Sequence, residues 1–190
     1  MKIAILIIAA GASRRLGQAK QLLPYKNTFL LDYVIQECKA SKIGDIYLVL
    51  GANCESIQPK IDTSISSFFN ENWPQGMGNS IAFGVQKIIH KNYDGIIIAV
   101  GDQPFFNRHI LQSIINKMSE TNASIVVSKY KNGKGTPCFF NKKLLTELTQ
   151  LKGDIGAKPI IKKYKHQVEI VNFLNGNIDI DTIDDLKYLR

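Results

Sequence analysis

The stretch that decides the fold is Ile3-Ala-Ile-Leu-Ile-Ile-Ala-Ala-Gly-Ala-Ser-Arg-Arg-Leu-Gly17-Gln-Ala-Lys20. Its first part, from Ile3 to Ala10, is entirely apolar and rich in β-branched residues, which is typical of a parallel strand buried on both faces. The strand runs directly into a turn of small residues, followed by two arginines and a lysine. Backbone N–H groups in such a turn approach a ligand closely and, with cations nearby, favour phosphate oxygens. The segment therefore predicts a phosphate site, although an ordinary turn with two solvated arginines has the same composition.

The turn differs from the better-known phosphate loops. A Walker A loop needs Gly-x-x-x-x-Gly-Lys-Ser/Thr, whereas here Gly11 and Gly17 are too far apart and Gln18 follows. The dinucleotide fingerprint Gly-x-Gly-x-x-Gly is absent as well, because Ser13 stands at its second glycine. These two kinds of nucleotide site are therefore excluded.

Composition is typical of a globular protein. The chain has 190 residues, of which 45% are hydrophobic and 21% are charged, so we expect a single domain over residues 1–190. No apolar run reaches the roughly 18 residues that span a bilayer, and the first strand is followed by no cleavage site. Three cysteines, far apart in the sequence, suit a reducing compartment. We therefore predict a cytoplasmic protein with no membrane partner.

The formal net charge of +8 allows nucleic acid, anionic lipid or an anionic small molecule as a partner. The lysines are spread along the chain, without the interleaved aromatic residues of RNA-binding sheets. We therefore predict no nucleic-acid partner and a solvated position for most lysines. The exceptions are Arg14, Arg15 and Lys20, which lie beside the predicted phosphate turn.

Strand-like and helix-like segments alternate along the chain. This alternation predicts a three-layer α/β sandwich around a mostly parallel, Rossmann-like sheet. Further strands are predicted at residues 46–50, 66–70, 95–100, 124–128, 137–140 and 168–171, and helices at 29–40, 55–60, 79–90, 108–119, 142–150 and beyond 182. Thr28 is predicted to cap the first helix, and Asp181 and Thr182 to cap the last.

Carboxylates follow two of the predicted segments. Asp102 comes directly after the strand at 95–100, so it should lie on the same sheet edge as the Gly11 turn. A carboxylate beside phosphate suits Mg²⁺, although Asp102 could instead bond its own backbone in a turn. Asp179 and Asp181 share one face if their segment is extended, and Asp181 is predicted to be a second metal ligand or a helix cap.

Six motifs in this order resemble the MobA-like nucleotidyltransferases, and within them the molybdenum cofactor cytidylyltransferase branch. The motifs are Ala9-Ala-Gly-Ala-Ser-Arg-Arg-Leu-Gly17 with Lys20, Asn72-Trp-Pro-Gln-Gly-Met-Gly-Asn-Ser80, Gly101-Asp-Gln-Pro104, Gly135-Thr-Pro-Cys-Phe-Phe140, Leu151-Lys-Gly-Asp-Ile-Gly-Ala157 and Asp179-Ile-Asp-Thr182. The chain departs from the family pattern at Thr136, Lys158 and Ile183, where the family usually has His, Arg and Pro.

The resemblance implies the fold of the nucleotide-diphospho-sugar transferases and the transfer of CMP from CTP to the phosphate of molybdopterin, with release of pyrophosphate. It implies three groups of site residues. Those expected to bind the nucleotide are Ala9, Ala10, Gly11, Ala12, Ser13, Arg15 and Lys20. The expected catalytic residues are Arg15, Lys20 and Asp102, with Mg²⁺ held by Asp102 and Asp181. The expected acceptor site comprises Gly76, Met77, Ser80 and Asp154.

Several alternatives stay open at the level of sequence. The donor could be another nucleoside triphosphate such as GTP, although Ala10 in Ala-Ala-Gly resembles the cytidylyl branch more than the guanylyl branch. The acceptor could be a sugar or polyol phosphate, or the chain could carry the cofactor to a molybdoenzyme without catalysis. Trp73 either packs into the core or, with Met77, forms a wall for a flat pterin. The second metal ligand could be Asp179 in place of Asp181.

Overall fold

A computed structural model describes residues 1–189 of the chain. It contains nine strands: β1 Ile3–Ala9, β2 Pro24–Tyr25, β3 Thr28–Phe29, β4 Asp45–Leu50, β5 Ser66–Phe69, β6 Gly95–Val100, β7 Ile125–Tyr130, β8 Gly133–Asn141 and β9 Val168–Asn172. Seven of them form the central sheet in the order β5-β4-β1-β6-β8-β7-β9, and β2 pairs with β3 in a small hairpin.

Helices cover both faces of this sheet. The α-helices are α1 Leu30–Ser41, α2 Cys54–Ile57, α3 Met77–Ile88, α4 Arg108–Thr121, α5 Leu145–Leu148 and α6 Lys158–Lys163. One hydrophobic cluster joins the sheet to α1 and α4, and a second joins its other face to α3, α5 and α6. Alternate side chains of β1 enter opposite clusters, with Ile5 and Ile7 in the first and Leu6 and Ile8 in the second. The predicted three-layer sandwich is confirmed.

The sheet is mostly parallel, as predicted. β1 runs parallel to both β4 and β6, while β8 alone runs antiparallel to its neighbours β6 and β7. Ile8 of β1 lies opposite Val100 of β6, and the N–H of Gly101 donates to the Ile8 carbonyl at 3.1 Å. The chain segments that leave β1 and β6 therefore start side by side at one edge of the sheet.

Several helices differ from the sequence prediction in their ends or their type. Thr28 does not cap α1, because it belongs to β3 and its hydroxyl donates to Asp32 instead. The predicted helix at 142–150 is a 3₁₀ turn followed by the short α5. Helix α6 was not predicted, since its proline at position 159 reads as a break, although proline is favourable in the first turn of a helix.

The C-terminal segment also differs. A 3₁₀ helix at Ile183–Leu189 replaces the predicted α-helix. The carboxylate of Asp185 accepts hydrogen bonds from the N–H groups of Asp181 at 3.1 Å and Thr182 at 2.7 Å. Capping thus comes from Asp185, which leaves the Asp181 carboxylate available to other partners. Within residues 1–189, no helix has the length and apolar composition needed to cross a membrane.

Candidate active site

A cavity of about 450 Å³ opens at the carboxyl ends of β1 and β6. The loop after β1, the segment before α3 and the turn after β6 line it, together with Asp154 and Asp181. All the residues predicted for the nucleotide, acceptor and metal sites lie in this lining: Ala9, Ala10, Gly11, Ala12, Ser13, Arg15, Lys20, Gly76, Met77, Ser80, Asp102, Asp154 and Asp181. The structure brings them together, and their individual roles remain predictions.

The loop after β1 offers hydrogen-bond donors to the cavity. Ser13 adopts a left-handed conformation, with φ 53°, and its carbonyl accepts from the N–H groups of Leu16 at 3.0 Å and Gly17 at 3.1 Å. Within residues 1–189, the backbone N–H groups from Gly11 to Arg14 donate no hydrogen bond. A Cβ atom at Gly11 would meet nothing within 4 Å, so this side of the turn is open. Successive free N–H groups in an open turn are well suited to an anion.

Lys20 lies between two carboxylates. Its ammonium is 2.6 Å from Oδ2 of Asp102 and 2.6 Å from Oδ1 of Asp181, and only 12% of its side chain is exposed. Burial lowers the pKa of Lys20, but the adjacent carboxylates outweigh this effect and raise the pKa above its ordinary value. Arg15 is an exposed partner of Asp181 at 2.6 Å. The cluster thus holds two positive and two negative side chains at the edge of the cavity.

Asp102 has a second, unpaired oxygen. Its Oδ1 atom is buried and has no hydrogen-bond partner within residues 1–189, although Oδ2 binds Lys20. A buried carboxylate oxygen without a partner is costly unless a cation or a donor reaches it. Asp181, which binds the same ammonium, lines the same cavity. Asp102 and Asp181 therefore supply carboxylate oxygens of the kind that a hard divalent cation prefers.

Asp179 lies beside this cluster but is not part of the cavity lining. Although the residue as a whole is exposed, the enclosure of its carboxyl group and the nearby charge of Asp102 raise its pKa to about 7. Of the two carboxylates that the sequence left open as the second metal ligand, Asp181 is the one in the cavity.

The predicted acceptor side is built where the segment before α3 meets the loop before α6. The N–H of Met77 donates to the Asp154 carboxylate at 3.2 Å, and the N–H of Gly78 donates to the Gly153 carbonyl at 2.7 Å. Gly76 has φ 102°, and a Cβ atom there would come within 2.7 Å of Gly153. Only glycine allows the two loops to approach so closely.

Two side chains complete this wall. Ser80 is buried, and its hydroxyl oxygen accepts from the Asn70 side chain at 3.2 Å. Trp73 is half-buried: it packs against Gly51, where a Cβ atom would lie 2.6 Å from it, and it also lines the cavity. Trp73 therefore packs against the protein on one side and lines the cavity on the other, and its contact with a pterin remains a prediction. Met77 presents 41% of its surface to solvent at the cavity rim.

Sequence reasoning missed two buried glutamines at the site. Gln21 is 1% exposed, and its side-chain amide donates to the carbonyls of Ala9 and Gly11. Gln103 is 2% exposed and donates to the Gly176 carbonyl at 2.6 Å, which ties the segment before Asp179 to the turn after β6. Each directly follows a charged residue, Lys20 or Asp102, and a polar side chain there gives no hydrophobic signal of burial.

Comparison with known proteins agrees with this geometry. The family model of the MobA-like NTP transferase domain matches residues 5–168. Nicotine blue oxidoreductase of Paenarthrobacter nicotinovorans is 32% identical over 100 residues, which are 52% of this chain and 48% of that protein. The chain thus matches about half the length of this curated relative.

Several solved structures are similar over the whole chain, among them two of Rv0371c. Rv0371c from Mycobacterium tuberculosis is 28% identical with a TM-score of 0.88, covering 100% of this chain and 97% of that one. A structure of Rv0371c in complex with manganese is 26% identical with a TM-score of 0.82. The match covers 100% of this chain and 98% of that one. The chain belongs to the MobA-like NTP transferase family and has the fold of the nucleotidyltransferases.

Proposed function

We propose that this MobA-like NTP transferase transfers CMP from CTP to the terminal phosphate of a molybdopterin-type cofactor and releases pyrophosphate. The observation that carries the proposal is the Lys20 ammonium, held between Asp102 and Asp181 beside a turn of free N–H groups. Nucleotidyl transfer needs anion binding, positive charge and a metal-binding carboxylate at one place.

The donor side of the cavity suits a triphosphate. The free N–H groups from Gly11 to Arg14 would hold phosphate oxygens, as backbone donors do in other anion sites. Arg15 and Lys20 would neutralise the charge that develops on the α-phosphate and on the departing pyrophosphate. Both side chains are paired with Asp181. When the triphosphate binds, its oxygens would replace this carboxylate as their anionic partner.

A divalent cation is part of the proposal, and we infer Mg²⁺. Asp102 supplies a buried oxygen without a partner, and Asp181 supplies a second carboxylate at the cavity edge. The similar protein Rv0371c has been solved in complex with manganese, which supports divalent metal use here. When bound, the cation supplies charge neutralisation for the phosphate oxygens.

The reaction needs little proton transfer. An oxygen of the acceptor phosphate attacks the α-phosphorus of CTP, the bond from that phosphorus to the bridging oxygen of the β-phosphate breaks, and pyrophosphate leaves with the bonding electron pair. Because the acceptor phosphate is already an anion at neutral pH, no strong general base is required. The chain's own contribution is the placement of the donor and the positive charge of Arg15 and Lys20.

The choice of cytosine and of molybdopterin rests on the resemblance of the motifs. Ala10 in Ala-Ala-Gly is similar to the cytidylyl branch. On the acceptor side, Trp73 and Met77 give the cavity an apolar wall, which favours a flat heteroaromatic ligand. A molybdoenzyme that receives the finished cofactor is a further partner under this proposal.

The test is pyrophosphate release by the purified chain with each donor and acceptor in turn. CTP, GTP, ATP and UTP would be paired with molybdopterin, a sugar phosphate and a polyol phosphate, with Mg²⁺ or Mn²⁺ present. We expect the highest rate with CTP and molybdopterin. Higher rates with GTP would assign the guanylyl reaction, and higher rates with a sugar or polyol phosphate would assign that acceptor. Tight molybdopterin binding without pyrophosphate release from any donor would indicate a carrier.

A further inference from the structure

Gln21 is buried beneath the loop that offers the free N–H groups. It lies in the 3₁₀ turn Lys20–Leu22, directly after the lysine of the site, and is 1% exposed. Its Nε2 atom donates to the Ala9 carbonyl at 3.0 Å and to the Gly11 carbonyl at 3.1 Å. One side-chain amide therefore binds the two carbonyls on either side of Ala10 with its two hydrogens.

These two bonds fix the direction of the donor groups in the loop. In a trans peptide the N–H points opposite to the carbonyl of the same unit. With the Ala9 and Gly11 carbonyls turned toward Gln21, the N–H groups of Ala10 and Ala12 must point away from it. Ala12 is one of the residues whose N–H donates no hydrogen bond within residues 1–189, and it lines the cavity.

The amide of Gln21 pairs with these two carbonyls but leaves one atom of its own without a partner. The Oε1 atom of Gln21 is buried and has no hydrogen-bond partner within residues 1–189. The amide cannot turn over to relieve this, because Oε1 would then face two carbonyl oxygens. A buried acceptor without a donor costs stability, and methionine, of similar size, would avoid that cost only by leaving the Ala9 and Gly11 carbonyls without this donor.

We propose that Gln21 is a positioning residue that orients the loop from Ala10 to Arg14 for the phosphates of the nucleotide. The role rests on the proposed function, since it assumes that the loop holds a triphosphate. Gln21 belongs to the cavity lining but is only 1% exposed, so we assign its role to the backbone carbonyls that it holds. Its removal should weaken binding of the triphosphate group as such, whichever base is attached.

The experiment compares wild type with Gln21→Met, which removes both hydrogen bonds at similar volume, and with Gln21→Asn, whose shorter amide cannot reach both carbonyls. Gln18→Met is the matched control, because Gln18 is exposed in the same loop and does not line the cavity. Ser128→Ala controls for general loosening, since the buried Ser128 hydroxyl donates to the Pro137 carbonyl away from the cavity. Affinity for inorganic tripolyphosphate is measured by calorimetry, and Tm by circular dichroism.

We expect Gln21→Met to bind tripolyphosphate and CTP about tenfold more weakly, as loss of oriented donors predicts. Gln21→Asn should bind tripolyphosphate with an affinity between those of wild type and Gln21→Met. Gln18→Met and Ser128→Ala should bind it as tightly as wild type does. The inference is overturned if Gln21→Met and Gln21→Asn bind tripolyphosphate normally, if Ser128→Ala weakens binding equally, or if wild type does not bind it. Selective loss in the Gln21 variants, together with no pyrophosphate release by wild type from any donor and acceptor, would refute the proposed function while leaving the positioning role intact.

Discussion

The ammonium of Lys20 lies 2.6 Å from the carboxylate of Asp102, and it reaches Asp181 at the same distance on its other side. Lys20 and Asp181 are 161 residues apart in the chain, so only the closed fold brings them together. A divalent cation bound by both carboxylates would share them with this ammonium and would be repelled by its charge. Under the proposed function, metal binding and the contacts of Lys20 are therefore linked, and the first two predictions follow from that link.

Replacing either residue should abolish most of the turnover. Lys20→Ala removes positive charge from the transferring phosphate, and Asp102→Ala removes the carboxylate with the unpaired buried oxygen. We expect each variant to lower kcat about a hundredfold or more, as loss of a charge-stabilising group does in other enzymes. Pyrophosphate release measures the rate, and circular dichroism checks the fold. Lys39→Ala, at an exposed ion pair with Asp62, should keep normal turnover. A folded Asp102→Ala protein with wild-type rates would remove the metal assignment.

A variant without Lys20 should bind a divalent metal more tightly, although it loses turnover. Without nucleotide, the Lys20 ammonium neutralises Asp102 and Asp181 and repels a cation, whereas Lys20→Met removes this charge from both carboxylates. We therefore expect Lys20→Met to bind Mn²⁺ about tenfold more tightly than wild type in the absence of nucleotide, measured by electron paramagnetic resonance of free Mn²⁺. Lys39→Met, which removes the exposed ion pair with Asp62, serves as the control and should bind Mn²⁺ as wild type does. Equal or weaker Mn²⁺ binding by Lys20→Met would show that lysine and metal do not compete.

Much of this arrangement could be predicted from sequence. The apolar runs of β1 and β6 identify strands buried on both faces, and the carboxyl ends of adjacent parallel strands meet at one edge. These two facts suffice to place Asp102 beside the turn at Gly11. The antiparallel direction of β8 was not predictable, because an apolar run has no direction until its connections are known.

The remaining features depend on tertiary contacts. Asp181 lines the cavity and Asp179 does not, and the segment at Asp181 is held by Asp185, which accepts from the N–H groups of Asp181 and Thr182. Motif spacing does not contain that information. The role of Gln21 likewise could not be predicted from sequence. Its side chain becomes a buried donor only because the chain returns beneath the loop after β1.

Asp185 should stabilise the segment that carries Asp181. Its Oδ2 atom accepts from both N–H groups and from the Thr182 hydroxyl at 2.7 Å, and the hydrogen bonds from Thr182 hold the pKa of Asp185 below its ordinary value. Asp185→Ala should lower the free energy of unfolding by about 1 kcal/mol at pH 7. Because the folded-state pKa is lowered, this contribution is present above about pH 4 and is lost as the pH falls through the lowered pKa.

Urea unfolding of wild type and Asp185→Ala at pH 7 and near pH 3 measures that difference. The gap between the two proteins should narrow at the lower pH. Asp184 is an exposed neighbour, so Asp184→Ala should unfold at the same urea concentration as wild type at both pH values. A gap that stays constant between pH 7 and pH 3 would contradict the assignment of the ionised carboxylate as the acceptor.

The three thiols should differ sharply in reactivity. Cys38 and Cys138 are buried, and burial raises the pKa of both thiols, to about 12 for Cys138. Cys54 is only half-buried, at the start of α2. Because thiolate fraction and access control alkylation, native protein should take up one maleimide per chain and denatured protein three. Intact mass gives the count, and Cys54→Ser should abolish the native label. Rapid native labelling of two or more thiols would show that the two sheet-packed cysteines are accessible.

The last prediction concerns Trp73, the only tryptophan in the chain. It packs against Gly51 on one side and lines the cavity on the other, next to the rim formed by Met77. A flat pterin on this wall would contact the indole, and such aromatic contact is worth roughly 0.5–1.5 kcal/mol beyond burial. Adding the true acceptor should therefore change the tryptophan emission, whereas tripolyphosphate, which fits the loop from Gly11 to Arg14, should change it less. Trp73→Leu should raise KM for the acceptor several-fold and leave KM for CTP nearly unchanged. If molybdopterin leaves the emission constant while a sugar or polyol phosphate shifts it and supports pyrophosphate release, the acceptor belongs to that second class and the wall at Trp73 recognises it instead.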